Sequence, residues 1–515
     1  MALLSAAVHS WPLAALGLAI LALAVRLAVR PTRLRRNGIP LRKPRGSLPL
    51  LGNGIVFLRP RQALFSWFSQ REREFGRETY QISVPTLPPG VVLNDPANVD
   101  YVFKNEALFK KGEFVKRRAW DLFGHGIINT DGDLWKVQRK AGLHFLSVPN
   151  MRVLTDVALP RYLSASMKLL ERHADSGQAL DMQTVFHEIT SQLMGKMAYN
   201  MEMHADDDFT LAFDYASGVT GERFQNPMYT LTELFTGSRF RRSLSVVKSY
   251  GRSIVAKAVR DRQSPPGAQS EKDVLVETSG SLMQSFLDSI GDEAIVADAA
   301  LNYLSAGRDT VAQALTWSLY LLMRRGRQAS VERIRDEARD ALGTDGLPRD
   351  PAAFTPAAMP YTMAVFYEAM RLYPPIPIEI KQCVAAATLP DGTFLPESSV
   401  VLWSLWAMNR SRDTWGPDAD DFRPDRWLSR ASDDDGAPLA FVSRGASEFP
   451  VFNGGAHTCL GKKMAELIAV QVIPSVVCAF DFGPAYDERC ERVSKNSLTL
   501  PMEGGLPCFV KRCVG

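Results

Sequence analysis

The chain of 515 residues is 46% hydrophobic and 23% charged, a composition typical of a globular protein with a large core. Its formal charge of +4 depends on eight basic residues before position 46. Without them 52 basic residues stand against 56 acidic ones, so the excess indicates a membrane surface rather than nucleic acid as a partner. The six cysteines include no C-x-x-C pair, which argues against a zinc site and a secreted disulfide framework and favours a reducing compartment.

The N-terminus predicts a membrane anchor. Residues 11–25 contain no polar or charged side chain, and the stretch 1–29 can supply the roughly 20 apolar residues that a bilayer-spanning helix requires. The alternatives are a buried helix and a cleaved signal peptide, but a signal peptide carries its charge before the apolar run, whereas here the basic residues follow it. By the positive-inside rule we expect 1–29 to be a retained single-pass anchor, with the remaining chain in the cytosol.

The rest of the chain predicts one large, mainly α body with small β-sheets. Residues 30–53 are basic and rich in proline, which indicates a stiff extended linker, and a single domain is expected over 54–515. Residues 78–93 alternate and predict a β-hairpin. The pattern is then mainly helical to about residue 375, with short strands over 384–402 and a further hairpin over 497–510.

Trp135 and Arg139 form the first candidate pair. They are four residues apart and project from one side of a predicted helix, where an indole N–H and a guanidinium suit a carboxylate or another anion. An amphipathic surface turn would explain the same pair.

The second candidate lies in a long helix predicted from about Asp292 to Arg325. In its middle, Ala306–Thr310 includes Gly307, and a glycine inside a helix costs about 1 kcal/mol relative to alanine. The motif indicates a place where something packs against the backbone, or simply close packing between helices.

Glu368 and Arg371 form the third candidate, a charged pair. They are three residues apart, lie on one face of a helix and can pair, and their apolar surroundings favour a partly buried pair. Arg426, from a separate segment, could join them.

Cys459 is the fourth candidate, in the loop 452–461. Glycines at 454, 455 and 461 predict a tight turn that brings backbone N–H groups close to something. If the cysteine lies at the start of the following helix, the helix dipole lowers the thiol pKa and favours the thiolate, the form that binds metal. The alternative is a small, inert, buried cysteine.

Together, and in this order, the four motifs resemble the cytochrome P450 family of haem-thiolate enzymes over essentially the whole chain. Phe452–Gly461 is similar to the family's haem-binding signature and Trp135–Arg139 to its haem-propionate helix. Ala306–Thr310 is similar to its oxygen-activation motif, and the pair Glu368 and Arg371 to its helix pair. The resemblance implies the cytochrome P450 fold, a catalytic domain at 54–515 behind a transmembrane helix at 1–29, and a place in the endoplasmic reticulum membrane.

The same resemblance implies heme b (iron protoporphyrin IX) with Cys459 as its axial thiolate, a ligand that favours O–O cleavage. The other haem contacts that it implies are Phe452 and Gly461 near the sulfur and, at the propionates, Trp135, Arg139, His457 and Lys381. Asp309 and Thr310 match the acid–alcohol pair that delivers protons to dioxygen. Glu368, Arg371 and Arg426 match a structural triad. His457 stands where arginine is commoner, and Val311 where many relatives have a second threonine.

The implied function is hydroxylation of a lipophilic substrate with O2. The chain shows no flavin or nicotinamide motif, so we expect electrons from a separate NADPH–cytochrome P450 reductase, with cytochrome b5 as an optional second donor. Several stretches resemble the fungal alkane and fatty-acid hydroxylase clan and plant fatty-acid ω-hydroxylases, which favours a long aliphatic chain. Tailoring of a polyketide, terpenoid or other secondary metabolite is the alternative. A haem-thiolate isomerase or dehydratase, or a non-enzymatic haem sensor or carrier, fits the Asp309–Thr310 pair less well.

Overall fold

The computed structural model describes residues 15–19, 22, 33–49, 51–84, 87–263, 281–343, 345–430 and 439–513. The predicted anchor over 1–29 lies outside these residues, apart from 15–19 and 22, which are helical. Within the described ranges, no helix has the length and apolar character needed to cross a bilayer.

The described residues are mainly helical, as the sequence predicted. Their helices are, in chain order, α1 (Gly54–Phe57), α2 (Arg61–Phe75), α3 (Pro96–Lys104), α4 (Gly112–Phe123), α5 (Gly132–Phe145), α6 (Val148–Val153), α7 (Leu159–Ser176), α8 (Met182–Tyr199), α9 (Asp208–Gln225), α10 (Tyr229–Thr236), α11 (Ser238–Gln263), α12 (Ser281–Ser289), α13 (Glu293–Met323), α14 (Gln328–Ala338), α15 (Pro360–Leu372), α16 (Leu405–Met408), α17 (Arg412–Trp415) and α18 (Lys462–Ala479).

Short strands flank this helical body. They are β1 (Arg35–Arg36), β2 (Ile39–Pro40), β3 (Tyr80–Ile82), β4 (Gly90–Val92), β5 (Phe109–Lys110), β6 (Leu180–Asp181), β7 (Ile378–Cys383), β8 (Ala387–Thr388), β9 (Thr393–Leu395), β10 (Val400–Ser404), β11 (Leu428–Arg430), β12 (Leu439–Phe441), β13 (Phe480–Pro484) and β14 (Pro507–Arg512). They form sheets in the orders β2-β1-β9-β8, β3-β4-β10-β7-β5, β11-β12 and β13-β14-β6.

The hairpin predicted over 78–93 is confirmed, since β3 and β4 pair antiparallel with Tyr80 opposite Val92. The hairpin predicted over 497–510 does not form, because the strand at its end pairs with other segments. Strand β14 pairs with β13 and β6, and the preceding segment contributes only an isolated bridge between Ser494 and Met502. The alternation near the end of the chain indicated a strand correctly but carried no information about which distant strand it would meet.

The basic segment that follows the predicted anchor is paired with the body. Arg35 and Arg36 lie opposite Phe394 and Thr393 in an antiparallel ladder. Arg36 and Arg42 also form ion pairs of 2.8 and 2.7 Å with Glu78. The prediction of a plain extended linker is therefore wrong for this part of the chain: β1 and β2 pair with each other across a turn, and both salt bridges hold the segment against the domain.

Helix α13 runs through the centre of the molecule. Asp292 caps its first turn by accepting hydrogen bonds from the N–H groups of Ala294 and Ile295, which satisfies donors that a helix start leaves free. From Val311 to Leu322 every side chain is buried, as expected for a helix that is apolar all round. It packs against α8, α11 and α15, and this packing fixes the position of its central motif.

Candidate active site

A cavity of about 560 Å³ lies between the middle of α13 and the loop 452–461. Ala306, Asp309 and Thr310 line it from the helix, and Cys459 lines it from the loop. All six cysteines are described and free, and of these only Cys459 reaches the cavity. The structure thus brings together two motifs that are almost 150 residues apart in the chain.

Two of the three glycines of the loop 452–461, Gly454 and Gly455, are explained by close packing on α3. A Cβ on Gly454 would lie 2.2 Å from the ring of Phe103, and one on Gly455 would lie 2.2 Å from the Phe103 carbonyl oxygen. Gly455 also has a φ of +60°, which favours glycine. The backbone N–H of Cys459 donates to the Phe452 carbonyl at 2.7 Å, so the loop turns back on itself and directs the cysteine to the cavity.

The Cys459 thiol is exposed to the cavity but lies deep within the protein. Helix α18 begins at Lys462, three residues later, and the sequence predicted that its positive end would lower the thiol pKa. Burial instead raises the pKa of Cys459. The N–H groups of Gly461 and Lys462, with the charge on Arg139, oppose this rise without overcoming it. A cation bound to the sulfur would favour the thiolate over the neutral thiol.

At one end of the cavity, the predicted anion-binding residues converge. Arg139 donates to the Thr458 carbonyl at 3.0 Å and lies 5.3 Å from the ring of Trp135. The rings of Trp135 and His457 are 4.2 Å apart. Burial, followed by the charge on Lys381, lowers the pKa of His457 to about 3. The imidazole is therefore neutral near pH 7, unlike the arginine that is commoner at its position.

Lys111 joins Lys381 at the same end. Both line the cavity, and neither forms an ion pair with any described residue, nor does Arg139. Burial, followed by the charge on Lys381, lowers the pKa of Lys111 to about 7. Glu379 also faces this end, and burial raises its pKa, so it is a weak counter-charge.

The residues present fit the haem that the resemblance implies. Three cationic side chains surround one end of the cavity without an ion-pair partner among the described residues, and two carboxylates of a ligand would relieve that excess. The Cys459 sulfur, which is a metal ligand once it is deprotonated, faces the same space. A ligand with a central metal and two carboxylates at one edge fits both features.

The facing wall is the middle of α13, which continues through its glycine without a break. A Cβ on Gly307 would lie 2.6 Å from the Met194 sulfur of α8, so close packing between helices explains this residue. Thr310 donates its hydroxyl to the Ala306 carbonyl at 2.7 Å, on the side of the helix that lines the cavity.

Asp309 lines the cavity, and its carboxylate is paired with the guanidinium of Arg308. Arg308 Nε lies 2.5 Å from Asp309 Oδ1, and the same guanidinium donates to Thr210 at 2.9 Å and to Asp214 at 3.1 Å. His187 Nδ1 lies 3.9 Å from Asp309 Oδ1 and makes no hydrogen bond with the described residues. Burial raises the pKa of Asp309 to about 6 while Arg308 opposes the rise. Burial and Arg308 lower the pKa of His187 to about 4.

Glu368, Arg371 and Arg426 lie together away from the cavity. Arg371 binds Glu368 through two hydrogen bonds of 2.8 Å, and Arg426 Nε lies 3.3 Å from the same carboxylate. Trp427 donates to it as well, at 2.9 Å. Arg371 also donates to the carbonyls of residues 409, 419 and 421. The sequence predicted a partly buried pair, and the observed pair is fully buried and ties four segments together.

Three residues of the site were missed from the sequence. Lys111, His187 and Asp214 belong to none of the four motifs, and their proximity to the cavity or to Asp309 depends on how distant helices and loops pack. Arg308 was part of a quoted motif but had no role assigned. A basic residue beside an acid within an otherwise apolar helix is a signal that could have found it.

Comparison with known proteins agrees with this geometry. A family model described as cytochrome P450 matches residues 42–509. The chain is 26% identical over 482 residues to cytochrome P450 94A1 of Vicia sativa, an alignment that covers 90% of each chain. It is 29% identical over 485 residues to cytochrome P450 94B1 of Arabidopsis thaliana, covering 90% of this chain and 91% of that one. It is 29% identical over 496 residues to cytochrome P450 monooxygenase cyp1 of Mycosarcoma maydis, covering 92% and 75%. The chain belongs to the cytochrome P450 family, whose members are monooxygenases that carry haem with a cysteine thiolate as its axial ligand.

Proposed function

We propose that this monooxygenase hydroxylates a long aliphatic chain of the fatty-acid or alkane type, using O2 and electrons from a separate NADPH–cytochrome P450 reductase. The observation that carries the proposal is the shared cavity: Cys459, the pair Asp309–Thr310 and a wall of apolar side chains line one space. The motifs that resemble fungal alkane and fatty-acid hydroxylases support the aliphatic substrate.

The residues at the loop end of the cavity hold the haem in this proposal. Cys459 provides the sulfur ligand, and the N–H groups of Gly461 and Lys462 stabilise negative charge on it. Lys111, Arg139 and Lys381 bind the two carboxylates, while Trp135 and His457 orient that edge. When bound, the haem supplies the oxidising chemistry that activates dioxygen.

Residues of α13 that line the cavity deliver protons in this proposal. The Thr310 hydroxyl, anchored on the Ala306 carbonyl, positions a water in the cavity through its free lone pairs. Asp309 exchanges a proton with that water, since burial places its pKa at about 6, close to the working pH. Asp214, whose side chain is 35% exposed, connects the Arg308 cluster with the surface, where the proton is replaced.

The remaining lining suits an alkyl chain. It is formed mainly by aromatic and branched aliphatic side chains from α2, α4, α9 and the loop after Pro375, among them Leu64, Phe65, Phe123, Phe213 and Ile376. Such a surface binds a lipophilic guest by excluding water.

We also propose that residues 1–29 anchor the protein in the endoplasmic reticulum membrane, that 30–53 connect the anchor to the body, and that the catalytic domain over 54–515 faces the cytosol. The apolar stretch followed by basic residues supports this orientation. Membrane contact is further supported by α10, which exposes Leu231, Leu234 and Phe235, a pattern expected of a helix that contacts lipid.

The function is tested with microsomes that contain the protein and an added NADPH–cytochrome P450 reductase. We expect NADPH- and O2-dependent hydroxylation of fatty acids or n-alkanes of graded length. Oxidation of polyketide or terpenoid substrates alone would contradict the aliphatic assignment. Conversion of a substrate without NADPH would contradict the monooxygenase reaction and indicate an isomerase reaction.

A further inference from the structure

Arg61, the first residue of α2, lines the same cavity and is only 8% exposed. None of the four sequence motifs includes it, and neither the haem end nor the proton cluster accounts for its charge. Its neighbours in the lining are apolar side chains such as Phe57, Leu64 and Phe65. A charged group placed in such surroundings requires a physical reason.

No acidic side chain among the described residues pairs with Arg61. Burial alone lowers its pKa, to about 9, and no neighbouring carboxylate opposes that shift. Two other buried arginines of this chain are paired, since Arg308 faces Asp309 and Arg371 faces Glu368. The buried Arg118 has no ion pair among the described residues and, like Arg61, donates to backbone carbonyls. A buried cation without a counter-charge is unfavourable until an anion joins it.

The guanidinium retains free donors of the right shape. Its two hydrogen bonds, to the carbonyls of Lys495 at 3.1 Å and Ser497 at 2.5 Å, both come from Nη1. The N–H groups of Nε and Nη2 therefore have no acceptor among the described residues. This edge is the fork that binds a carboxylate through two parallel hydrogen bonds.

The end of α2 adds to the positive potential. The helix has 15 residues, no side-chain cap at Pro60 and no acidic residue in its first turn, so its N-terminal partial charge is not neutralised from within. The nearby ammonium group of Lys495 is directed elsewhere, 3.5 Å from Asp214.

The other charged groups that line the cavity belong to the two ends already described. Lys111, Arg139 and Lys381 lie with His457 and Glu379, and Asp309 lies with Arg308. Arg61 contacts the C-terminal loop at Lys495 and Ser497, whereas Cys459 lies in the loop 452–461, so different segments of the chain present the two residues to the cavity.

We infer that Arg61 binds the carboxylate of a fatty acid, with the alkyl chain extending through the apolar part of the cavity. This inference rests on the proposed function and narrows it: the substrate is an anionic amphiphile rather than an alkane, and oxidation falls on carbons remote from the carboxylate.

The inference is tested by measuring how tightly the purified, haem-loaded protein binds a fatty acid and its methyl ester. The change in the optical spectrum of the haem reports binding. We expect the wild type to bind the acid at least about tenfold more tightly than the ester. Arg61→Gln should weaken binding of the acid on the order of 30-fold, because removing one member of a buried charge pair costs about 2 kcal/mol or more, and should leave binding of the ester within about twofold.

Two further variants make the comparison specific. Arg61→Lys keeps the charge without the fork and should show an intermediate preference for the acid. Arg59→Gln removes an exposed arginine two residues away and should bind both ligands as the wild type does.

Arg61 could instead serve only to hold the C-terminal loop through Lys495 and Ser497. In that case Arg61→Gln would weaken binding of the ester as much as binding of the acid, and the inference would be overturned. Should Arg61→Gln fail to fold, the wild type and Arg61→Lys still test the inference. If both proteins bind the acid and the ester equally well, the inference is refuted. Oxidation of alkanes or esters without preference for acids would refute only this inference, whereas oxidation of no aliphatic compound would refute the proposed function itself.

Discussion

Adjacent residues of α13 have different surroundings although one motif predicted them together. Thr310 is held by its own helix through the Ala306 carbonyl, while Asp309 is held by Arg308 and thereby by α9. The hydroxyl is therefore a fixed element of the cavity wall. The carboxyl is the member whose charge depends on neighbours and on pH.

Replacing Thr310 with alanine should uncouple NADPH consumption from product formation, because the cavity loses the hydroxyl that positions a water for proton delivery. We expect roughly a tenfold or greater fall in the ratio of product to NADPH. This is less than the roughly 100-fold or more that a group transferring the proton itself contributes, because the hydroxyl only positions the water. Thr316→Ala is a matched control: Thr316 makes the same 2.7 Å bond to the carbonyl four residues before it but does not line the cavity. Unchanged coupling in Thr310→Ala would remove this residue from the proposed relay.

Replacing Arg308 with methionine should destabilise the protein increasingly as the pH rises. Burial raises the pKa of Asp309 to about 6, and Arg308 opposes that rise, so the variant's Asp309 titrates higher still. The stabilising contribution of a group with a raised pKa is complete below its unfolded pKa and is lost as pH passes the folded one. The deficit relative to wild type should therefore grow from about pH 5 to about pH 8, towards about 3 kcal/mol.

Thermal unfolding measured across that pH range checks this result. The other groups that face Arg308 are His187 and Asp214, with Lys495 beyond Asp214; without Arg308, His187 protonates more readily at low pH, which acts in the same direction. The double variant Arg308→Met/Asp309→Asn should lose most of the pH dependence. A deficit that is constant with pH in Arg308→Met would show that Asp309 is not the titrating group.

The grouping of residues within each motif could be predicted from the sequence because each motif is local. The spacing of Trp135 and Arg139 on one helix face is a property of the helix itself. The partners of these side chains could not be predicted in the same way. Lys111 lies before α4 and His187 within α8, and only the packing of those helices brings them to the cavity or to Asp309. The sequence indicated that the helix start lowers the pKa of the Cys459 thiol, and the N–H groups of Gly461 and Lys462 have that effect. It could not show that burial outweighs them, because helix position is visible in a sequence whereas burial is not.

At the scale of elements, the carboxylate of Glu368 joins α15 to the segment that contains Arg426 and Trp427. Glu368→Ala would leave Arg371 buried without its counter-charge, which costs about 3–5 kcal/mol. We expect a large loss of stability and little haem-loaded protein. Glu332→Ala is the control, because Glu332 and Arg335 form an ion pair with the same three-residue spacing on the surface, where such a pair contributes about 0–1 kcal/mol. Denaturant unfolding that gives similar losses for both variants would contradict this account.

Helix α10 should contribute to membrane binding by itself. Leu234 and Phe235 are 69% and 87% exposed, and burying such side chains in lipid is worth about 1.5–3 kcal/mol each. In a variant that lacks residues 1–29, Leu234→Asp/Phe235→Asp should lower partitioning into phospholipid vesicles at least tenfold. Leu143→Asp, which alters a side chain 57% exposed on α5, should not. Equal partitioning of the two variants would remove α10 from the membrane contact.

The elements themselves could be predicted where their pattern is continuous. The long helix around Ala306–Thr310 and the hairpin over 78–93 follow from periodicity and from prolines. Strand β14 could not be assigned its partners, because β6 is remote in sequence and β13 is separated from β14 by the long segment between Pro484 and Pro507.

For the molecule as a whole, distant segments converge on one cavity between α13 and the loop 452–461. The cationic end, the buried thiol and the helix wall were each ambiguous in the sequence, where a surface turn, an inert cysteine or simple helix packing would explain them singly. Their meeting in one space, with Arg61 in an otherwise apolar wall, is what the sequence could not show and the structure does. The family model matches residues 42–509, a range that includes all of these segments.

The central claim is that Cys459 binds the haem iron as a thiolate. The carbon-monoxide difference spectrum of the reduced protein tests it most directly, because the position of the Soret band reports the axial ligand. We predict the band typical of thiolate ligation for the wild type and for Cys490→Ala, which alters an exposed cysteine outside the cavity, and its loss in Cys459→Ala. A wild type without that band, or a Cys459→Ala variant that retains it, would contradict the account.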